Sequence, residues 1–451
     1  MRRMNRRRLA RRSGFLSILC AGTCVCSGLA ARPDYDQPNY DVSKIAPYTL
    51  EDPLTFVDGT RVRSPADWPR RRAEIVSIFA REMYGQPPPA PEAVACEKIE
   101  EGKTMAGFGI RRQYRMWFKK DKSGPFVDWL VLLPAKEKKP VPVISFLNYD
   151  GNHELIADKE VVLPEGCWLR FADGNRANPK TRGVCTDQNR DSFVLPAHVI
   201  LARGYAIMSA CYGQISPDPD WQDKDPAHAQ ETFPYTRLFD LWPARDPNRD
   251  DNITALGAWA WVLSRGLDLA ESIPEIDAHK AVVTGYSRLG KAALLAASRD
   301  ERFAVCVPNQ TGGGGCPLAK RDWGENVGTE MAAFKHWFCK AYKKYEKDPA
   351  SLLTFDQHLL LASIAPRGLL VQGFDVNWFD PEGEYLACKA ASPAWELFGL
   401  PGFPGHEMPA DYDTSCIGSH LGFVRRDLWH GHVAHDWNWL LDFSDRLLKG
   451  K

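Results

Sequence analysis

The stretch at 280–291, Lys-Ala-Val-Val-Thr-Gly-Tyr-Ser-Arg-Leu-Gly-Lys, constrains the fold more than any other part of the chain. A β-branched run ends at Gly285, Ser287 follows two residues on, and a helical pattern starts at once. Strand, sharp turn and helix in that order make a nucleophile elbow, the bend that lifts a serine hydroxyl above the end of a sheet. Such a turn brings backbone segments close together, so the residue before the bend must be small, and Gly285 meets that need. The second glycine of the common G-x-S-x-G pattern falls one residue late, at Gly290, with Leu289 in its usual place. In this setting the N–H of Arg288 opens the helix, where partial positive charge favours an oxyanion. Arg288 and Lys291 add two cations at the same end, which suits a substrate that carries a carboxylate or develops an oxyanion. The plainer alternative is that Ser287 only caps the helix. The coincidence of strand, glycine, serine and helix start favours the nucleophile.

Short apolar runs and helical patterns alternate on both sides of the elbow. Strands are expected at 127–133, 141–147, 205–210, 280–284, 303–307 and 369–371. Helices are expected at 72–83, 198–203, 253–267, from 292, over 382–398 and over 437–448. This alternation predicts an α/β-hydrolase three-layer sandwich around a mostly parallel, doubly wound sheet. Sites in such sheets lie beyond the carboxyl ends of the strands, so the loops after Leu147, Thr284, Val307 and Val371 should carry the chemistry. The polar stretch at 158–191 reads as a long surface loop.

The first residues read differently. Arginines crowd 1–12, an apolar small-residue run follows, and Ala30-Ala31 offers a cleavage site, so 1–31 reads as a secretory signal. A single membrane anchor ranks second, because the run is short and rich in Gly, Ser, Cys and Ala. Export to the periplasm or beyond is therefore expected, with no stable membrane insertion once the signal is removed. Residues 32–94, rich in Pro, Asp and Arg, read as an extension that wraps the core, and 95–451 as the catalytic domain. Fifty-seven basic residues match 57 acidic ones, which gives no sign of a nucleic-acid partner. Of 12 cysteines, Cys20, Cys24 and Cys26 fall in the signal. The rest are scattered singly, which argues against a zinc site. Cys167 and Cys185 flank one loop and are a candidate bridge, while the others fit as small buried hydrophobes. The 15 tryptophans fit either a sugar-binding surface or a tryptophan-rich core.

Gly-Tyr-Ser-Arg-Leu-Gly-Lys at 285–291 is similar to the Gly-x-Ser-Arg-x-Gly-Lys signature of the glucuronoyl esterases, carbohydrate esterase family 15. Leu-Asn-Tyr-Asp-Gly-Asn-His at 147–153, the segments 202–213 and 258–265, Gly312 to Gly315, and Asp-Pro-Glu-Gly-Glu at 380–384 resemble it as well. The resemblance implies cleavage of esters between 4-O-methyl-glucuronoyl groups of xylan and lignin alcohols, with no cofactor and no metal. It implies that the Arg288 guanidinium helps hold the oxyanion and that Lys291 contacts the sugar. By position, Glu325 and Trp378 complete sugar binding, against readings as a helix-start charge and a core tryptophan.

The chain order of this fold is serine, acid, histidine, so the base comes late. The family places its histidine shortly before a closing Asp-Trp helix, which implies His430, with His432 as the rival. The acid departs from the family pattern. One family position is held here by Gln310, a neutral amide. The other family position falls on Val376, so the neighbouring Asp375 is the expected acid and Asp380, otherwise a helix cap, the alternative. Two further readings stay open: an acetyl or feruloyl esterase on the same fold, and a catalytically impaired sugar-acid-binding protein.

Overall fold

Among the described residues, nine strands form one sheet in the order β1-β2-β3-β5-β4-β6-β7-β8-β9. They are β1 (Ala95–Thr104), β2 (Gly109–Trp117), β3 (Phe126–Pro134), β4 (Val141–Asn148), β5 (Ala206–Cys211), β6 (Ile276–Tyr286), β7 (Phe303–Asn309), β8 (Gly368–Phe374) and β9 (Leu421–Arg426). The first three join antiparallel, as does β3 to β5. From β5 through β4, β6, β7 and β8 to β9 every pairing is parallel. The computed structural model describes residues 38–169, 195–219, 225, 227–228 and 230–450. These lie in one compact unit, Asp36–Lys451; the other unit, Met1–Tyr35, and with it the expected signal, falls outside the described residues.

The parallel strands are buried on both faces, which explains why they read as continuous apolar runs. On one face the helix Ala255–Glu271 and the elbow helix Arg288–Arg299 pack small residues against the sheet. On the other, the closing helix Ala434–Lys449 buries Trp437, Leu440 and Leu441. This is the three-layer sandwich expected from the alternation.

Three strands escaped the sequence reading. β1 and β2 are charged, and β1 is an edge strand with exposed glutamates and lysines. Arg111 of β2 is buried through a bidentate pair with Glu100 of β1 and a contact to Asp158, so its polarity is hidden in a partner rather than in solvent. β9 was likewise not expected. The helix expected over 382–398 divides into Pro381–Ala391 and Pro393–Glu396, because Pro393 has no N–H to continue the ladder. The helix Trp68–Glu82 of the N-terminal stretch packs into the main core. Trp68 Nε1 donates to Ala365 O at 3.1 Å, and Ile75, Phe79 and Met83 are buried.

Candidate active site

β6 is an interior strand, paired in parallel to β4 and β7. Its last residue is Tyr286, and Ser287 then turns with φ 57° and ψ −136° into the elbow helix. A positive φ is strained for a non-glycine residue and persists only where the surroundings enforce it. Both glycines of the motif explain how. A Cβ on Gly285 would lie 2.4 Å from the Leu289 carbonyl oxygen. A Cβ on Gly290 would lie 2.8 Å from the Gly285 oxygen and 3.0 Å from that of Asn309. The late glycine therefore serves the close approach itself, and Leu289 is free to be a buried core residue. Between Ala281 and Ser298, Ser287 is the single residue that is not buried.

His430 lies beside this turn. Its ring meets that of Tyr286 edge-on, with centroids 5.5 Å apart, and stacks on Phe379 at 4.4 Å. The loop that carries it is clamped by buried Arg426, which donates to the carbonyls of Asp427, Trp429 and Gly431 at 2.8–3.0 Å. Arg426 is itself held by both oxygens of Asp436, at 2.8 and 2.9 Å. Such a planar five-donor fork suits the fixing of a loop better than an ammonium.

The Nδ1 of His430 is 2.8 Å from Gln310 Oε1. Gly431 N donates to the same oxygen at 2.9 Å. A backbone N–H only donates, so the amide must present its oxygen here and His430 Nδ1 must carry the proton. Gln310 follows β7 with φ 47°, and its backbone N–H donates to Gln372 O at 2.7 Å. Its Nε2 is buried with no hydrogen-bond partner among the described residues. Burial, then the cations Arg288, Arg426 and Lys291, push the His430 pKa down to about 3.

The expected acids lie elsewhere. Asp375 is drawn outward: its carboxylate accepts from Arg425 at 2.8 Å and is 45% exposed. The turn is not rotated toward the imidazole, and Asp375 pairs with Arg425 of β9. Asp380 adopts the left-handed region, caps the helix Pro381–Ala391 through Gly383 N, and pairs with Arg321 at 3.0 Å. His432 stacks flat on Trp437 of the closing helix at 4.0 Å and is buried there.

The two cations in the first turn of the elbow helix, Arg288 and Lys291, are both buried, and each has its own carboxylate. Arg288 Nη1 bonds Asp218 Oδ2 at 2.5 Å, and its guanidinium lies 4.6 Å from the Trp337 ring. Asp218 also binds His336 Nε2 at 2.8 Å and Trp337 Nε1 at 2.7 Å. Burial alone would raise the Asp218 pKa, but Arg288, His336 and Trp337 hold it far below the usual carboxylate range. Arg288 Nε is buried and has no hydrogen-bond partner among the described residues. Lys291 donates to Glu325 Oε2 at 3.1 Å, lies 3.6 Å from Glu330, and sits 4.8 Å from the Trp337 ring. Burial drives Glu330 well above its ordinary pKa, only partly offset by Lys291. The two cations that the sequence places at this end are thus each paired with a carboxylate, and what they present is a set of directed donors.

Glu325 and Trp378 come together through the backbone, where Glu325 N donates to Trp378 O at 2.9 Å. Gly324 makes that approach feasible, since a Cβ there would lie 2.6 Å from the Trp378 carbonyl oxygen. Sequence reasoning missed Asp218, Phe379 and Arg426. Asp218 sits in a loop with no motif around it, and nothing local signals its partner 70 residues away. Among the described residues, no group of three His, Cys, Asp or Glu side chains is placed to hold a metal ion, and no helix is long and apolar enough to cross a membrane.

Known proteins resemble this chain in sequence and in fold. The family model for fungal glucuronyl esterase matches residues 232–399. A carbohydrate esterase from an unknown prokaryotic organism is 33% identical over 93% of this chain and 95% of its own length. The 4-O-methyl-glucuronoyl methylesterase of Schizophyllum commune is 26% identical over 94% of this chain and 93% of its own. Among solved structures, the glucuronoyl esterase of Solibacter usitatus superposes with a TM-score of 0.79 at 32% identity, covering 90% of this chain and all of that one. A family 15 esterase described as promiscuous, from a marine bacterial metagenome, gives 0.78 at 32% identity over 91% of this chain and all of its own. With a relative above 30% identity along nearly its whole length, this chain belongs to carbohydrate esterase family 15, the glucuronoyl esterases.

Proposed function

We propose that the chain is a serine-type carboxylic ester hydrolase that cleaves 4-O-methyl-glucuronoyl esters, including those joining glucuronoxylan to lignin alcohols. The strained turn at Ser287, with an imidazole beside it whose Nδ1 is already engaged, is the observation that carries this reading. With the proton fixed on Nδ1, the Nε2 lone pair of His430 is the base that takes the Ser287 proton. Ser287 Oγ attacks the ester carbonyl, and the Arg288 N–H and guanidinium hold the oxyanion. His430 then protonates the departing alcohol, and water releases the acid from the acyl-enzyme.

Lys291 and Glu325 present the polar groups that orient the sugar, and Trp378, half-buried, offers a ring face to it. Gln310 takes the place of the triad acid. It keeps the tautomer correct but offers no charge to the imidazolium. A base pushed down to about 3 is also a weak one. These two facts favour a slow esterase, and they keep a sugar-acid-binding protein as the second reading. Export is part of the proposal, on the strength of the arginine-rich, apolar run at 1–31.

The test is hydrolysis of methyl 4-O-methyl-glucuronate. Measurable turnover is expected, abolished by Ser287→Ala with the fold retained by circular dichroism. Turnover that survives the substitution overturns the mechanism. A serine-directed phosphonate probe separates the second reading, since only an activated hydroxyl is labelled. Preference for acetylated xylan over the glucuronate ester would point instead to an acetyl esterase.

A further inference from the structure

Two buried thiols meet at the end of β5. Cys167 Sγ lies 3.1 Å from Cys211 Sγ, closer than two non-bonded sulfurs rest. Each sulfur also reaches a backbone carbonyl, Cys167 that of Trp168 at 3.4 Å and Cys211 that of Tyr149 at 3.8 Å, as Cys306, Cys339 and Cys416 reach theirs at 3.6–3.9 Å; the sulfur–sulfur approach is what sets this pair apart. Cys211 ends β5, and Cys167 comes from a loop docked on the turn that follows β5. The docking is a backbone fit. Trp168 N donates to Gly213 O at 3.1 Å, and a Cβ on Gly213 would overlap the Trp168 oxygen at 1.8 Å. The two sulfurs are therefore held together by the chain on both sides. A disulfide bond of about 2.05 Å needs only a closure of about 1 Å, within reach of small side-chain rotations.

We propose that Cys167 and Cys211 form a disulfide when the chain folds in the presence of a small-molecule or protein disulfide. One cysteine thiolate attacks the external disulfide and expels a thiolate, giving a mixed disulfide. The second cysteine thiolate then attacks its partner's sulfur and expels the other. Two protein thiols lose two electrons and two protons, and one external disulfide becomes two thiols. Burial raises the Cys167 pKa well above its ordinary value, so the exchange belongs to the folding stage, before the loop docks.

The bond would bear on the site through aromatic packing. Trp168 meets Tyr212 edge-on at 6.0 Å, and Tyr212 meets Tyr149 at 5.1 Å and Trp259 at 5.3 Å. Tyr149 in turn donates to the Tyr286 carbonyl beside Ser287 at 2.9 Å. The pairing replaces the Cys167–Cys185 bridge suggested by loop position; Cys185 lies outside the described residues.

The full chain is unfolded in urea, refolded in a buffer of oxidised and reduced glutathione, alkylated, and digested without reductant. The expected product is a peptide pair joined through Cys167 and Cys211, present also in a Cys185→Ala variant. Reduction should lower Tm by about 3–6 °C. Alkylation of both residues, or a Cys167–Cys185 linkage in the unaltered chain, overturns the proposal. The peptide map decides even if Cys211→Ser fails to fold.

Discussion

On the cation side of the site, Arg288 rests on buried Asp218, and Lys291 rests on Glu325 with Glu330 behind it. On the imidazole side, His430 rests on the neutral amide of Gln310. Both sides are rigid and hydrogen-bonded, but charge is placed on one and withheld from the other. A carboxylate beneath a buried guanidinium makes a fixed, neutralised donor. An amide beneath an imidazole fixes direction without lending basicity. Orientation and charge, which a triad acid supplies together, are here separate properties of separate residues.

The comparison breaks most visibly at Asp218. Asp218→Asn leaves Arg288 buried and uncompensated and should lower the unfolding free energy by about 3–5 kcal/mol, read from urea denaturation. A neutral result would mean that the pair is not what holds the guanidinium. Gln310→Glu probes the other side. It keeps the oxygen that Gly431 and His430 both bind and adds the missing charge. It should raise kcat at neutral pH by about tenfold or more. Unchanged turnover would show that orientation alone suffices.

The smallest effect is in the pH profile. The His430 pKa is depressed to about 3 against an ordinary 6.5, so the base is already neutral above about pH 4. The acid limb of kcat/KM should be missing between pH 5 and 7 in the native chain and return, moved upward, in Gln310→Glu. Stability follows the same sign. His358, His430 and His432 have folded pKa values of about 4, 3 and 3, below the unfolded 6.5. Their contribution is therefore full above 6.5 and is lost as pH falls toward 3–4, since the unfolded chain binds protons that the folded one refuses. Asp356, raised to about 6 by burial, works in the opposite direction over 4–6. A Tm that stays level from pH 7 to 4 would contradict the burial of the imidazoles.

The elbow was legible because its geometry is written in adjacent residues. Gly285, Ser287 and Gly290 each answer to a contact within the turn or to the next strand. The parallel strands other than β9 were legible for the same reason, since burial on both faces demands an apolar run. The His430 loop was reachable by counting back from the Asp436-Trp437 helix start. β1 and β2 were not, because their charged residues find partners across strands or face solvent. The residue beneath the imidazole was chosen for its charge, on the loop after β8, and the choice failed. Asp375 is paired with Arg425, while Gln310 meets the imidazole.

What the sequence determined by itself is the scaffold and the nucleophile, because periodicity and a tight turn are local constraints that a linear chain records directly. What the tertiary structure decided is which groups stand beneath that chemistry. Asp218 under Arg288, Gln310 under His430 and Cys211 against Cys167 are pairings across 70, 120 and 44 residues. Their energies depend on burial and distance, which exist only once the sheet has brought its strand ends together.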